Sequence, residues 1–193
     1  KMKNKKSVSQ IISKYGVLMV FILMFIVFSF MAPNFTNVRN LLNVSRQINT
    51  LGICSVGMTL LLIAGSIDLS QGYQLSLINV FCAFLMVEQG IPMVLAILLS
   101  LVLGAIIGFI NGIIIVKSGV HPMIVTLGVS QALNGISYLF SNGIPIYGFP
   151  EGFNLLGQGT LGVIPISLII MVIIMIIGHF ILSGLPYGRY LYA

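Results

Sequence analysis

Six apolar runs, at about residues 15–31, 48–64, 72–87, 92–117, 123–140 and 165–182, constrain this chain more than any other feature. A helix of roughly 20 apolar residues crosses the hydrocarbon core of a bilayer. Backbone at that depth must satisfy its own hydrogen bonds, which leaves helices or closed barrels. Runs of this length that stay apolar read as spanning helices. An all-α membrane protein with about six transmembrane helices is predicted. Composition agrees: 58% of residues are hydrophobic and 6% charged, where soluble domains carry about 25% charged residues.

The net charge of +6 comes mostly from Lys1, Lys3, Lys5, Lys6 and Lys14. Gathered at one end, these lysines form a positive-inside signal and no basic stripe, so nucleic acid is not expected as a partner. Residues 15–31 are longer than the ~7–15 residues of a signal-peptide core, and Ser29-Phe30-Met31 is no cleavage site, so this run reads as a retained first helix. The domain reading is a cytoplasmic segment at 1–14, a transmembrane domain at 15–183 and the start of a cytoplasmic loop at 184–193. Six spans put both ends on one side, with Lys117 and Arg189; Arg39 and Arg46 fall on the other, which predicts a cytoplasmic N-terminus.

Pro33 ends the first helix. Residues 34–47 are polar but patterned: Thr36 or Asn37 can cap a helix, and Leu41, Leu42, Val44 and Ile48 give it an apolar face. Arg39 and Arg46, seven apart, share the opposite face. They read either as headgroup-facing or, with Glu151, as candidates for docking an external partner.

Ala64-Gly-Ser-Ile-Asp-Leu-Ser-Gln-Gly72 interrupts two apolar runs and carries Asp68, one of three acidic residues. Irregular backbone at membrane depth is tolerated only where protein buries it or water reaches it. Asp68 and Gln71 have the spacing of a capping box, with Asp68 as N-cap of the following helix. Helix ends at such breaks are also where transporters hold polar ligands, so both roles stay open. In the fourth span, which Pro92 opens as a first-turn proline, Gly104, Gly108 and Gly112 make a smooth face for a close helix neighbour. Asn111 beside them needs a partner inside the protein. The fifth span carries Thr126, Ser130, Asn134 and Ser137 on one face, with Gln131 nearby. That face reads as helix–helix glue or as the lining of a polar path. The segment at 141–164, rich in Gly and Pro, is expected to be the longest loop.

Catalytic motifs are missing. Gly112-Ile-Ile-Ile-Val-Lys117-Ser118 lacks the second glycine of a phosphate-binding loop and sits at a membrane helix end. His121, His179, Cys54 and Cys82 have no ligand spacing, so no metal and no cofactor is expected. No nucleophile and base pair is visible.

Asn40-Leu-Leu-Asn-Val-Ser-Arg-Gln47, Gly57-Met-Thr-Leu60 leading into Ala64-Gly-Ser-Ile-Asp-Leu-Ser70, Val120-His-Pro-Met-Ile-Val-Thr-Leu-Gly128 and Tyr187-Gly-Arg-Tyr-Leu-Tyr-Ala193 follow one another in the chain. Together they resemble the permease subunits of ribose-type bacterial ABC sugar importers, from about residue 33 onward. Members usually carry Gly where this chain has Ser66 and Val where it has Gln71, and they run on through further spans. The resemblance implies an N-terminal portion of a plasma-membrane permease for a monosaccharide, working by alternating access. It also implies a second permease subunit, a cytoplasmic ABC ATPase that holds the enzymatic activity, an extracytoplasmic sugar-binding protein, and surrounding membrane lipids. Other readings are a permease for branched-chain amino acids or nucleosides, or a non-transporting membrane scaffold.

Overall fold

The computed structural model describes residues 8–184 together with Pro186, Gly188 and Leu191. The expected N-terminal lysines at 1–6 and the Tyr187 and Arg189 of the last motif lie outside these residues. The chain divides into two compact units, Lys1–Ser45 and Arg46–Ala193.

The first unit holds α1, Val8–Met31, and the start of α2, Val38–Ile63. Every residue of α1 from Val17 to Phe28 is exposed, as befits an apolar helix whose solvent is lipid. The turn before α2 passes through Asn34 at φ 66°. Its Phe35 ring packs on Phe25 and Phe28 at 5.3 and 5.9 Å. Asn37 Oδ1 accepts from the Arg39 N–H at 3.0 Å, which makes Asn37 the cap of α2.

The second unit contains the rest of α2 and then α3, Gln71–Ala83, continued by a π-helical turn at Phe84–Glu88. Next come α4, Met93–Ser118, and α5, Pro122–Ser141. After them stand α6, Glu151–Gln158, a two-residue hairpin of β1, Thr160–Leu161, with β2, Ile164–Pro165, and α7, Ile166–Gly184. Among the described residues, five helices are long and apolar enough to cross a membrane: α1, α2, α4, α5 and α7. The predicted third span is α3, too short alone, prolonged by the π turn to Glu88. Pro92 precedes α4 as its N-cap rather than standing in its first turn. The expected long loop after α5 contains α6 and the hairpin.

The core is built by α3, which packs between α4 and α5. Leu77, Ile107 and Leu133 form one buried cluster, and Cys82, Leu85, Met86 and Ala96 another, roofed by Phe149 and Phe153. α3 and α5 run the same way. The Leu69 N–H meets Thr126 near their starts, and Phe81 and Phe84 both lie 5.2 Å from Phe140 near their ends. α4 runs opposite, with Ser70 beside Asn111 and Ile78 over Gly104. α7 packs on α2 through small residues: Met171 presses on Gly52, and a side chain at Gly178 would meet Val56 at 2.6 Å.

Candidate functional site

Two neighbouring features bring together candidate polar residues of the second unit. The first is the break between α2 and α3. α2 ends when Gly65 turns left-handed at φ 71°. The Ser66 N–H reaches back to the Leu61 carbonyl at 2.9 Å and the Gly65 N–H to Leu62 at 3.0 Å. These are the paired bonds of a Schellman ending. The predicted capping box does not form. α3 begins at Gln71 with Ser70 as N-cap, and Gln71 turns away to donate from Nε2 to the Cys54 carbonyl at 2.8 Å. Asp68 instead folds over Ser70. Its Oδ1 accepts from the Ser70 N–H at 2.8 Å and the Ser70 hydroxyl at 2.5 Å, and its Oδ2 accepts from Gln74 Nε2 at 3.1 Å.

Ser70, 0% exposed, is the centre of this knot. Its hydroxyl donates to Asp68 and accepts from Gln74 Nε2 at 2.8 Å and Asn111 Nδ2 at 3.0 Å. That fills the one donor and two acceptor places a hydroxyl has. The Thr126 hydroxyl accepts from the Leu69 N–H at 3.1 Å and donates to the Pro122 carbonyl at 3.0 Å. Three predicted residues, Asp68, Asn111 and Thr126, are thus brought together, and they tie α3, α4 and α5 to the break.

The second feature is a cleft of about 450 Å³ between the later turns of α3 and α5 and the segment after α5. Asn134, Ser137 and Ser141 line it from α5, and Ser76 and Asn79 from α3. Tyr138 and Phe149 add aromatic surface. Of the predicted polar face, Asn134 and Ser137 reach this cleft. Ser130 is buried and donates to the Leu127 carbonyl at 2.6 Å, and Gln131 is exposed away from the lining. Ser70, Ser76 and Asn79 were missed by sequence reasoning. Their signal was available, since Ser76 and Asn79 are three apart and share a face of an otherwise apolar span.

The docking candidates separate. Arg39 is exposed in the first unit. Arg46 is half-buried and donates from Nη2 to the Gln158 carbonyl at 2.8 Å. A cation there satisfies a free carbonyl at the C-terminal end of α6, so Arg46 is engaged by the protein rather than simply headgroup-facing. Glu151 stands exposed in the first turn of α6, where a carboxylate complements the other end of the helix dipole. Of the three glycines of α4, Gly104 meets Ile78, while a side chain at Gly108 or Gly112 would enter open space.

Chemically, the cleft offers hydroxyl and amide groups and no nucleophile paired with a base. Such hydroxyl and amide groups can hydrogen-bond a polar solute. The family model described as "Branched-chain amino acid transport system / permease component" matches residues 40–193. A ribose import permease protein of Haemophilus influenzae is 36% identical over 100% of this chain and 61% of its own length. One of Bacillus subtilis is 35% identical over 95% of this chain and 57% of its own. A galactose/methyl galactoside import permease protein of Escherichia coli is 32% identical over 81% and 51%. The chain therefore spans between about half and three-fifths of the length of these relatives. No solved structure matches it.

Proposed function

The chain belongs to the family of branched-chain amino acid transport system permease components, and on that premise we propose that it is the membrane-spanning part of an ATP-driven importer that carries a monosaccharide such as ribose across the bacterial plasma membrane. The observation that carries this reading is the uncharged, hydroxyl- and amide-lined cleft between α3 and α5, in a chain whose relatives are named for ribose and galactose import. The solute is delivered by an extracytoplasmic binding protein and passes by alternating access between two permease subunits. ATP hydrolysis takes place in cytoplasmic partner subunits.

With the N-terminus cytoplasmic, the third and fifth spans run outward. The cleft then lies in the outer half of the protein, and α6 with its hairpin lies outside. Asn134 contacts the solute in this arrangement, while Asp68, Asn111 and Thr126 hold the helix break that shapes the path. Arg39 and Glu151 face the binding protein, and Arg46 positions α6 for it. Gly108 and Gly112 are free to meet another permease helix.

Uptake of labelled ribose, galactose and leucine by cells with and without the gene tests the reading. Loss of ribose or galactose uptake on deletion, restored by the gene, supports it. Sugar uptake left intact with leucine uptake lost would transfer the assignment to branched-chain amino acids, the reading favoured by the family description itself.

A further inference from the structure

Asn79 and Ser76 are exposed, and neither side chain has a hydrogen-bond partner among the described residues. The same is true of the half-buried Asn134 across the cleft. Asn79 lies eight residues into α3, about 12 Å along its axis, well inside the predicted span. An amide facing hydrocarbon there is strongly disfavoured unless another polar group meets it. All three residues converge on the one cleft, so what meets them has its own donors and acceptors.

The lining narrows the chemistry further. It contains no Asp, Glu, Lys, Arg or His. A zwitterion leaving water for such a site would need counter-charges to offset desolvation. The cleft also sits at the carboxyl end of α5, which stops at Ser141 with Asn142 left-handed at φ 51°. Free carbonyls at a helix end carry partial negative charge, which repels a carboxylate. An amide side chain and a sugar hydroxyl, by contrast, both donate and accept, so they pair in either sense. The rings of Tyr138 and Phe149 offer the apolar C–H face of a sugar a matching surface.

We infer that Ser76 and Asn79 of α3, with Asn134 of α5, form the selectivity element of the path, reading the hydroxyls of a neutral polyol and rejecting amino-acid zwitterions. This rests on the permease reading above and adds residues and a discrimination to it.

The test uses the permease in its native membrane with its partner subunits, Cys54 and Cys82 replaced by alanine, and a single cysteine introduced as Asn79→Cys or Asn134→Cys. Both cysteines should react with a hydrophilic thiol reagent. Ribose or galactose, whichever the wild type transports, supplied at about ten times the half-saturating concentration that the labelled variant itself shows in uptake, should slow that reaction about tenfold. Leucine at the same concentration should leave it unchanged. An inert Asn79→Cys would mean that lipid or another helix covers this face, and would overturn the inference. So would free reaction without protection by the transported sugar, or protection by leucine. Wild-type uptake separates the two levels: transport of sugar with no protection sinks the selectivity element alone, whereas transport of leucine and no sugar sinks the permease reading beneath it.

Discussion

At the scale of residues, Ser70 and Asp68 do the work that sequence spacing assigned to Asp68 and Gln71. Asp68 accepts on both oxygens, so Asp68→Asn keeps one acceptor and turns a donor toward Gln74 Nε2. Loss of a charge-assisted bond together with a donor facing a donor should destabilise the protein by about 1–3 kcal/mol. The readout is thermal unfolding in detergent. Ser70→Ala strips a buried hydroxyl from three neighbours at once and should cost about 1–3 kcal/mol by the same measurement.

At the scale of elements, the glycine face of α4 divides in function. Ile78 Cδ1 stands 2.9 Å from where a side chain at Gly104 would begin, so Gly104→Leu must displace Ile78 and crowd the contact of α3 with α4. Overpacking of this kind costs about 1–3 kcal/mol, and melting in detergent should fall accordingly. Gly108→Leu and Gly112→Leu enter open space and should leave melting of the isolated chain unchanged. If that face meets a second permease copy, they should instead weaken co-purification of two differently tagged copies. Unchanged pairing would remove α4 from the interface. At the other end of the cleft, α6 is held by its Phe153 ring stacked on Phe149 at 5.2 Å, by Arg46 on the Gln158 carbonyl and by Gly152 set against Met93.

At the scale of the whole molecule, sidedness is the property from which the direction of transport follows. Spans that alternate from a cytoplasmic N-terminus place α6 outside and the Ser118–Pro122 turn inside. Cysteine at Gly157 should therefore react with a membrane-impermeant reagent in intact cells, and cysteine at Ser118 only after the cells are opened. The reverse pattern would invert the topology read from the lysines. Affinity purification from membranes should recover an ABC-type ATPase and an extracytoplasmic binding protein, whose bound ligand would name the solute.

Much of this was legible before any coordinates. Apolar runs of spanning length leave the backbone few solutions in lipid, so the helical class, the break at Gly65 and the polar face of α5 follow from local chemistry. Pairing across space does not. Asp68 chose Ser70 over the Gln71 N–H because the chain does not become helical until Gln71, and a side chain two residues on is then nearer than one three on. Asn111 and Thr126 joined the same knot from helices far along the chain, and no spacing rule connects them. Ser76 and Asn79 stand among apolar residues of their span, and only the parallel packing of α3 and α5 sets them across from Asn134. Sequence by itself determined which segments are apolar enough to enter a membrane, because hydrophobic burial and backbone hydrogen bonding are local requirements. Only the tertiary structure decided which polar groups face one another, because that depends on the direction and depth at which separate helices pack.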